Sequence, residues 1–151
     1  MSLDDYARAG WLVAHPPAAD EVRELFVVAD RELHDARVAG VSTDGRFAHG
    51  CASALSSAAA ALAAAGYRAS KGGSHHHYVI QSLEYTLGIS GAVIARLDKY
   101  RKKRNTTIYE RAGAVSDAEA ADMVAVAEDL RMRAAQWIAA NHPGLTPGKN
   151  P

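Results

Sequence analysis

The chain has 151 residues, 48% of them hydrophobic, and its 17 basic and 17 acidic residues cancel. This composition excludes a wholly disordered chain, because a domain of this length can bury a large hydrophobic core. The zero net charge argues against general binding to nucleic acids or membranes, so any such function requires a local patch.

Cys51 is the single cysteine, which excludes an internal disulfide and a cysteine-based zinc site. Its Ala/Ser-rich surroundings predict a small packed side chain. The start of the chain has no basic segment followed by an apolar one, so we expect no signal peptide. The Ala-rich run at 52–65 contains three serines and is too weakly hydrophobic to predict a membrane span. We therefore expect a soluble, cytoplasmic protein that does not act at a membrane.

The N-terminal part of the chain predicts two helices. The first is expected over residues 2–14, with Ser2 as its cap, and two prolines end it. The second is expected over residues 18–39, where apolar residues recur every three or four positions. Residues 41–50 are predicted to begin as a turn.

The middle of the chain predicts three further helices. The Ala-rich segment ending at Gly66 indicates a tightly packed central helix, because small side chains let neighbouring helices approach closely. A glycine-containing loop at 67–74 leads to a fourth helix over about 75–87. A fifth helix begins near Ser90 and runs into the basic stretch that starts at Arg101.

Ser116 and Glu119 form a capping-box pattern at the start of a last helix, which is expected to end near Ala140. Alternating apolar runs of strand length are absent from the sequence. The predicted fold class is therefore all-α, an antiparallel bundle of five to six helices. We expect one domain over residues 1–141 and a flexible Pro/Gly-rich tail over residues 142–151.

His75, His76 and His77 are the first candidates for chemistry. Successive helical residues point ~100° apart, so the three side chains cannot all converge on one ion. They are interpreted first as polar residues at a helix start. The alternatives are that one histidine faces an active site, or that the run binds metal. We predict no metal and no cofactor.

The basic stretch is the second candidate. Its spacing places Arg101 and Arg104 on one helix face, whereas Lys102 and Lys103 point away. Arginines arranged in this way can hold phosphate through bidentate contacts. The alternative is that these cations only stabilise the negative end of the helix dipole.

The order of residues around this stretch resembles the HEPN superfamily (higher eukaryotes and prokaryotes nucleotide-binding). Arg104 and Asn105 match an arginine and a polar residue, which three residues separate from a position that is histidine in the family and Tyr109 here. A capping box and a closing helix follow. The resemblance covers roughly residues 20–140.

The resemblance implies an all-α homodimer that is often a metal-independent endoribonuclease, acting as a toxin in toxin–antitoxin or defence systems. Arg104 would hold the scissile RNA phosphate and Asn105 would orient it, with Tyr109 completing the catalytic motif. The further residues expected to contact RNA or phosphate are Arg101, Lys102, Arg111, His76 and His77.

Tyr109 is the departure from the family pattern. Cleavage of RNA without a metal needs one group that accepts a proton and one that donates a proton. Histidine, with a pKa of ~6.5, suits both roles better than tyrosine, with a pKa of ~10. Three interpretations remain open. Nearby cations lower the pKa of Tyr109, or a histidine from residues 75–77 replaces it, or Tyr109 only packs and the protein only binds.

The sequence therefore predicts a HEPN-type endoribonuclease toxin with an antitoxin partner. The alternative is a non-catalytic HEPN module that binds nucleotide, RNA or a nucleotidyltransferase partner, with Tyr109 as the hydroxyl that accepts a nucleotide. The third hypothesis is a plain structural or interaction bundle, in which the basic stretch is a solvated helix end.

Overall fold

The computed structural model describes residues 1–109 and 111–146, without the side chains of residues 106–109. Within this part, the elements are α1 (Leu3–Arg8), β1 (Leu12–Ala14), α2 (Ala19–Ala36), α3 (Thr43–Ala64), β2 (Tyr67–Ala69), α4 (His75–Gln81), α5 (Gly91–Tyr109) and α6 (Asp117–Asn141). Short 3₁₀ turns follow α4 at Ser82–Glu84 and α6 at Pro143–Leu145. The predicted all-α class is confirmed, since the helices form a bundle and the two short strands make one small sheet.

The predicted first helix over residues 2–14 is wrong beyond Arg8. Ser2 caps α1 as expected, because its side chain accepts a hydrogen bond from the backbone N–H of Asp5. Gly10 then adopts a φ of 83° and turns the chain out of the helix. Residues 12–14 pair antiparallel with residues 67–69, within a segment predicted as a loop. The partners lie far apart in the sequence, so neither three-residue strand carries a local pattern.

The segment 41–50, which is predicted to begin as a turn, is mostly helical, because α3 already begins at Thr43. Ser42 caps this helix, with its hydroxyl oxygen accepting a hydrogen bond from the N–H of Gly45 at 2.9 Å. Gly50 lies inside the helix where α6 approaches closely. A Cβ atom at Gly50 would lie only 3.0 Å from Cγ of Met123. The glycine therefore marks a helix crossing and not a turn.

The Ala-rich part of α3 is the centre of the bundle, as predicted. Cys51 and most residues from Ser53 to Ala64 are buried, and both α2 and α6 pack along this helix. By length and composition alone, α3 is long and apolar enough to cross a membrane, but 67% of its most apolar window is buried inside the fold. Burial of this extent is typical of a helix in the core of a folded domain.

Two hydrophobic clusters hold the helices together. The larger one joins α3, α4, α5 and α6, and its fully buried large side chains include Phe47, Leu62, Leu83, Met123 and Leu130. The smaller one joins α2, α3 and α6 around Phe26 and Ile138. Each such side chain contributes roughly 1.5–3 kcal/mol on burial. The larger cluster packs α4 against α5. The start of α4 therefore lies beside the basic stretch of α5.

The predicted fourth helix over residues 75–87 also extends too far. This helix ends at Gln81 and continues as a 3₁₀ turn, and Gly88, with a φ of 67°, redirects the chain before α5. The capping box at Ser116 and Glu119 is present as predicted. Within the segment predicted as a tail, Leu145 packs against the smaller cluster. Residues 147–151 lie outside the described part of the chain.

Candidate phosphate-binding site between α4 and α5

Asp98 connects the histidine run to the basic stretch. His77, in the first turn of α4, places Nδ1 3.1 Å from Oδ1 of Asp98 on α5. Arg101 lies one turn further along α5 and donates a hydrogen bond from Nε to the same oxygen at 2.9 Å. We call the group of His76, His77, Asp98, Arg101 and Arg104 the α4–α5 site.

The Asp98 carboxylate is held in its ionised form. Burial of this carboxyl would raise its pKa, but the hydrogen bonds from Arg101 and His77 outweigh that effect and lower the pKa below its ordinary value. The Asp98 and Arg101 side chains are only 13% and 14% exposed. Asp98 therefore acts as a fixed anchor that orients one arginine and one histidine.

Arg104 has the most unusual surroundings in the site. Its Nε atom is buried and has no hydrogen-bond partner among the described residues. Burial raises the pKa of the Cys51 thiol on α3 and the charge of Arg104 opposes this rise, whereas for the His76 imidazole on α4 the same charge adds to the lowering of the pKa by desolvation. A buried guanidinium donor without a partner costs free energy, and an anion with oxygen acceptors is the chemical group that would satisfy it.

His76 is exposed at the start of α4, and its pKa is lowered. The largest cause is partial desolvation, and the positive charges of His75, Arg104 and Arg101 add to it. The imidazole is therefore neutral at pH 7 and keeps one ring nitrogen as a hydrogen-bond acceptor. Such a group can accept a proton, which is what the motif lacks at Tyr109.

The lysines of the basic stretch are used differently. Lys103 donates to both carboxylate oxygens of Glu119 on α6, at 2.9 and 2.8 Å, and so points away from the site as predicted. Lys102 is exposed, with Nζ 3.6 Å from Oδ2 of Asp98. It therefore shares the partner of Arg101, although the helical spacing places it on another face.

The remaining predicted residues are Asn105, Arg111 and Tyr109, and the structure shows where each one lies on α5 or just after it. Asn105 is exposed on α5, beside Arg104 in the sequence. Arg111 is exposed after the end of α5. The backbone of Tyr109 ends α5, but its side chain lies outside the described residues, so its catalytic role stays a prediction.

An open depression adjoins the site. It has a volume of about 140 Å³ and is lined by His75 and His76 together with apolar side chains from three helices, among them Leu25, Leu55 and Val79. Its walls are therefore mostly apolar, with imidazole groups on one side. This combination suits a flat ring that stacks on an imidazole while its polar groups face solvent.

Two further residues refine the predictions from the sequence. Asp98 did not stand out as a site residue, although its spacing of three from Arg101 is a recognisable helical ion-pair signal. Cys51 is packed and unpaired among the described residues, as expected. Burial raises the pKa of its thiol to about 12, despite the opposing charge of Arg104, so this thiol is a poor nucleophile.

Comparison of the chain with protein-family models, curated proteins and solved structures found no match. The resemblance to the HEPN superfamily thus rests on the spacing of Arg104, Asn105 and Tyr109 near the end of the penultimate helix. Membership of that superfamily is a hypothesis, and the chemistry of the α4–α5 site depends on its own residues.

Proposed function

We propose that this protein is a HEPN-type, metal-independent endoribonuclease in which Arg104 and Asn105 hold the RNA phosphate. The observation that supports this most is the buried Nε of Arg104, which has no hydrogen-bond partner among the described residues and can bind an anion. Partial desolvation, with the charges of His75, Arg104 and Arg101, also lowers the pKa of the nearby His76. A neutral imidazole beside two guanidinium groups offers the proton acceptor and the anion-binding charge that RNA cleavage needs.

The proposed reaction is an internal phosphoryl transfer. His76 accepts the proton of the ribose 2′-hydroxyl, and the 2′-oxygen attacks the adjacent phosphorus. Arg104 stabilises the negative charge that develops on the phosphate oxygens. The 5′-oxygen leaves and is protonated by an acid, for which Tyr109 is the candidate in the motif. The products are a 2′,3′-cyclic phosphate and a 5′-hydroxyl.

The proposal includes a homodimer that brings two copies of the motif together, and an antitoxin that restrains the enzyme in the cell. Both elements come from the resemblance to the family. The mass of the purified protein in solution, measured by light scattering, tests the dimer directly. A monomer at micromolar concentration would remove the paired motif from the proposal while leaving the α4–α5 site intact.

The decisive experiment is RNA cleavage by purified protein in EDTA. We expect Arg104→Ala and His76→Gln each to reduce the rate by roughly 10²–10⁴-fold, the range for loss of a catalytic acid–base or charge-stabilising group. Tyr109→Phe tests the proton donor in the same assay. Arg133→Ala is the matched control, because Arg133 is a half-exposed arginine on α6 that pairs with Asp129.

Each outcome has a clear meaning. Full activity of folded Arg104→Ala protein would refute the proposed site. Activity that is lost with Arg104→Ala and retained with His76→Gln would keep phosphate binding but remove His76 as the base. Equal losses in Arg104→Ala and Arg133→Ala would indicate a general charge effect and not a site.

A non-catalytic, nucleotide-binding module is the second candidate, and the depression beside His76 favours it. Its apolar walls suit a stacked base, and Arg104 would lie toward the phosphate. Asp98 and Glu119 also neutralise much of the basic stretch, which favours one phosphate over a long RNA tract. Wild-type protein that binds a nucleoside monophosphate, depends on Arg104 for it and never cleaves RNA would support this function. The affinity should fall as salt is added.

A further inference from the structure

A second cluster of polar side chains lies between α2 and α3. Glu32 and Asp35 are one turn apart on α2, and His49 faces them from α3. One oxygen or nitrogen atom from each of the three lies within 4.8 Å of the others. All three residues are half-buried, so they are shielded from bulk solvent but still reachable from it.

The packing of the two helices fixes this arrangement. Leu33 and Ala36 turn into the core, which leaves Glu32 and Asp35 at the edge of the helix interface. One turn beyond His49, the buried hydroxyl of Ser53 donates a hydrogen bond to the backbone oxygen of Ala29 at 2.8 Å. This bond ties α3 to α2 close to the cluster and limits how far its members can separate.

The two carboxylates have different partners. Glu32 receives a hydrogen bond on Oε1 from Arg31 at 3.1 Å, and its Oε2 lies 2.6 Å from Nδ1 of His49. The Asp35 carboxylate makes no hydrogen bond or ion pair with any described residue. An interhelical bond between Glu32 and His49 would explain those two residues, but it leaves Asp35 without a role.

We propose that Glu32, Asp35 and His49 bind a divalent transition-metal ion, with Zn²⁺ as the best fit. Imidazole nitrogens and carboxylate oxygens are both zinc ligands, at metal distances of about 2.0–2.2 Å. Ligand atoms around a tetrahedral ion lie roughly 3.3–3.5 Å apart. The candidate ligand atoms lie within 4.8 Å of one another, and the Glu32 and His49 atoms are 2.6 Å apart, so ion binding requires the side chains to adjust. The fourth position stays open to water.

The ligand chemistry also selects among metals. An imidazole nitrogen favours zinc and its neighbours in the first transition row over Mg²⁺ and Ca²⁺, which prefer oxygen ligands throughout. Arg31 on Glu32 acts as an outer partner that orients the carboxylate, as outer hydrogen bonds do in established zinc sites. The ion would offset the negative charge of two carboxylates in a half-buried position.

The proposed metal site is separate from the α4–α5 site. His49 and Cys51 are two residues apart on α3, so their side chains point to nearly opposite sides of the helix. Cys51 lies toward Arg104, whereas His49 faces α2. The metal proposal therefore does not depend on the ribonuclease proposal. EDTA in the cleavage assay would take a metal ion from the cluster but would leave the phosphate-binding residues unchanged.

Calorimetric titration of metal-stripped protein with Zn²⁺ tests the site. The buffer contains a molar excess of Mg²⁺ as the competing ion. We expect one ion per chain, with affinity reduced by roughly tenfold or more in His49→Ala and Asp35→Asn. His34→Ala is the matched control, since His34 is exposed on the same helix and outside the cluster. Co²⁺ as a spectroscopic probe should give visible absorption bands that disappear in the same two variants.

Asp35→Asn is the sharpest variant, because it leaves the contact between Glu32 and His49 in place and should fold normally. Zinc affinity that is unchanged in Asp35→Asn and His49→Ala would overturn the proposal. Binding that is lost only when His75, His76 and His77 are replaced together would assign the ion to the histidine run and overturn it as well. Displacement of Zn²⁺ by equimolar Mg²⁺ would exclude ligation by His49.

Discussion

His77 and Asp98 meet across α4 and α5, with Nδ1 of the histidine 3.1 Å from Oδ1 of the aspartate. Because Arg101 donates to the same oxygen, one carboxylate sets the position of two candidate RNA-binding side chains. Asp98 thereby links the stability of the fold to the geometry of the site. Its replacement should be visible in both.

We expect Asp98→Asn to lower the free energy of unfolding by about 1–3 kcal/mol at pH 7, because it leaves the mostly buried Arg101 without its charged partner. The folded-state pKa of Asp98 is depressed, so the carboxylate contributes stability above its unfolded pKa and loses it as pH falls through the folded value. Urea denaturation at pH 7 and at pH 3 measures both effects.

Asp129→Asn is the matched control for this experiment, since Asp129 forms an exposed pair with Arg133 on α6. Exposed pairs of this kind contribute about 0.2–1 kcal/mol. The difference between wild type and Asp98→Asn should shrink toward acid pH. A difference that stays constant from pH 7 to pH 3 would show that the charge of Asp98 is not the cause.

The ring of His76 should titrate below the ordinary histidine value of ~6.5. Desolvation is the largest cause of the lowered pKa, followed by His75, Arg104 and Arg101, so Arg104→Ala should move the pKa part of the way back up. Proton NMR titration of the imidazole signals, assigned with His76→Gln, measures this. Arg133→Ala should leave the titration unchanged.

The same titration predicts the pH dependence of cleavage. If neutral His76 is the base, activity should be lost as pH falls through its lowered pKa and should stay level from there to pH 7. A wild-type His76 signal that titrates above the ordinary value would contradict the placement of Arg104 and Arg101 beside it.

The helices that the sequence predicted best are those with long apolar periodicity or strong caps. The predicted α2 differs from the observed Ala19–Ala36 by a few residues at its ends, and four residues of sequence suffice to predict the capping box at Ser116. These signals are local, since spacing and capping involve residues within one or two turns. The all-α class followed from them.

The contacts between elements had no such signal. The pairing of Leu12 with Ala69 and the contact of His77 with Asp98 join residues that only the assembled bundle brings together. The position of Arg104 beside Cys51 and His76 is of the same kind. The spacing of Arg101 and Arg104 predicted a shared helix face. It carried no information about which helix would cover that face.

Ser116→Ala tests a feature that the sequence predicted correctly. Its hydroxyl oxygen accepts a hydrogen bond from the N–H of Glu119, and the Glu119 side chain accepts one from the N–H of Ser116. We expect a loss of about 1 kcal/mol in the free energy of unfolding. Ser90→Ala is the control, because its oxygen lies 3.4 Å from the N–H of Val93 and makes a weaker cap. Equal losses in both variants would contradict the capping argument.

Gly50→Val tests a position within the segment that the sequence predicts to begin as a turn. A Cβ at this position would lie 3.0 Å from Cγ of Met123 and 3.3 Å from the backbone nitrogen of Val124, and neither buried Met123 nor the α6 backbone can easily move aside. We expect destabilisation of about 1–3 kcal/mol from overpacking. Gly91→Val is the control, since no atom lies within 4 Å of a Cβ at that exposed position. Equal stability of the two variants by urea denaturation would mean that α3 and α6 are not in contact at Gly50, and the close crossing would have to be abandoned.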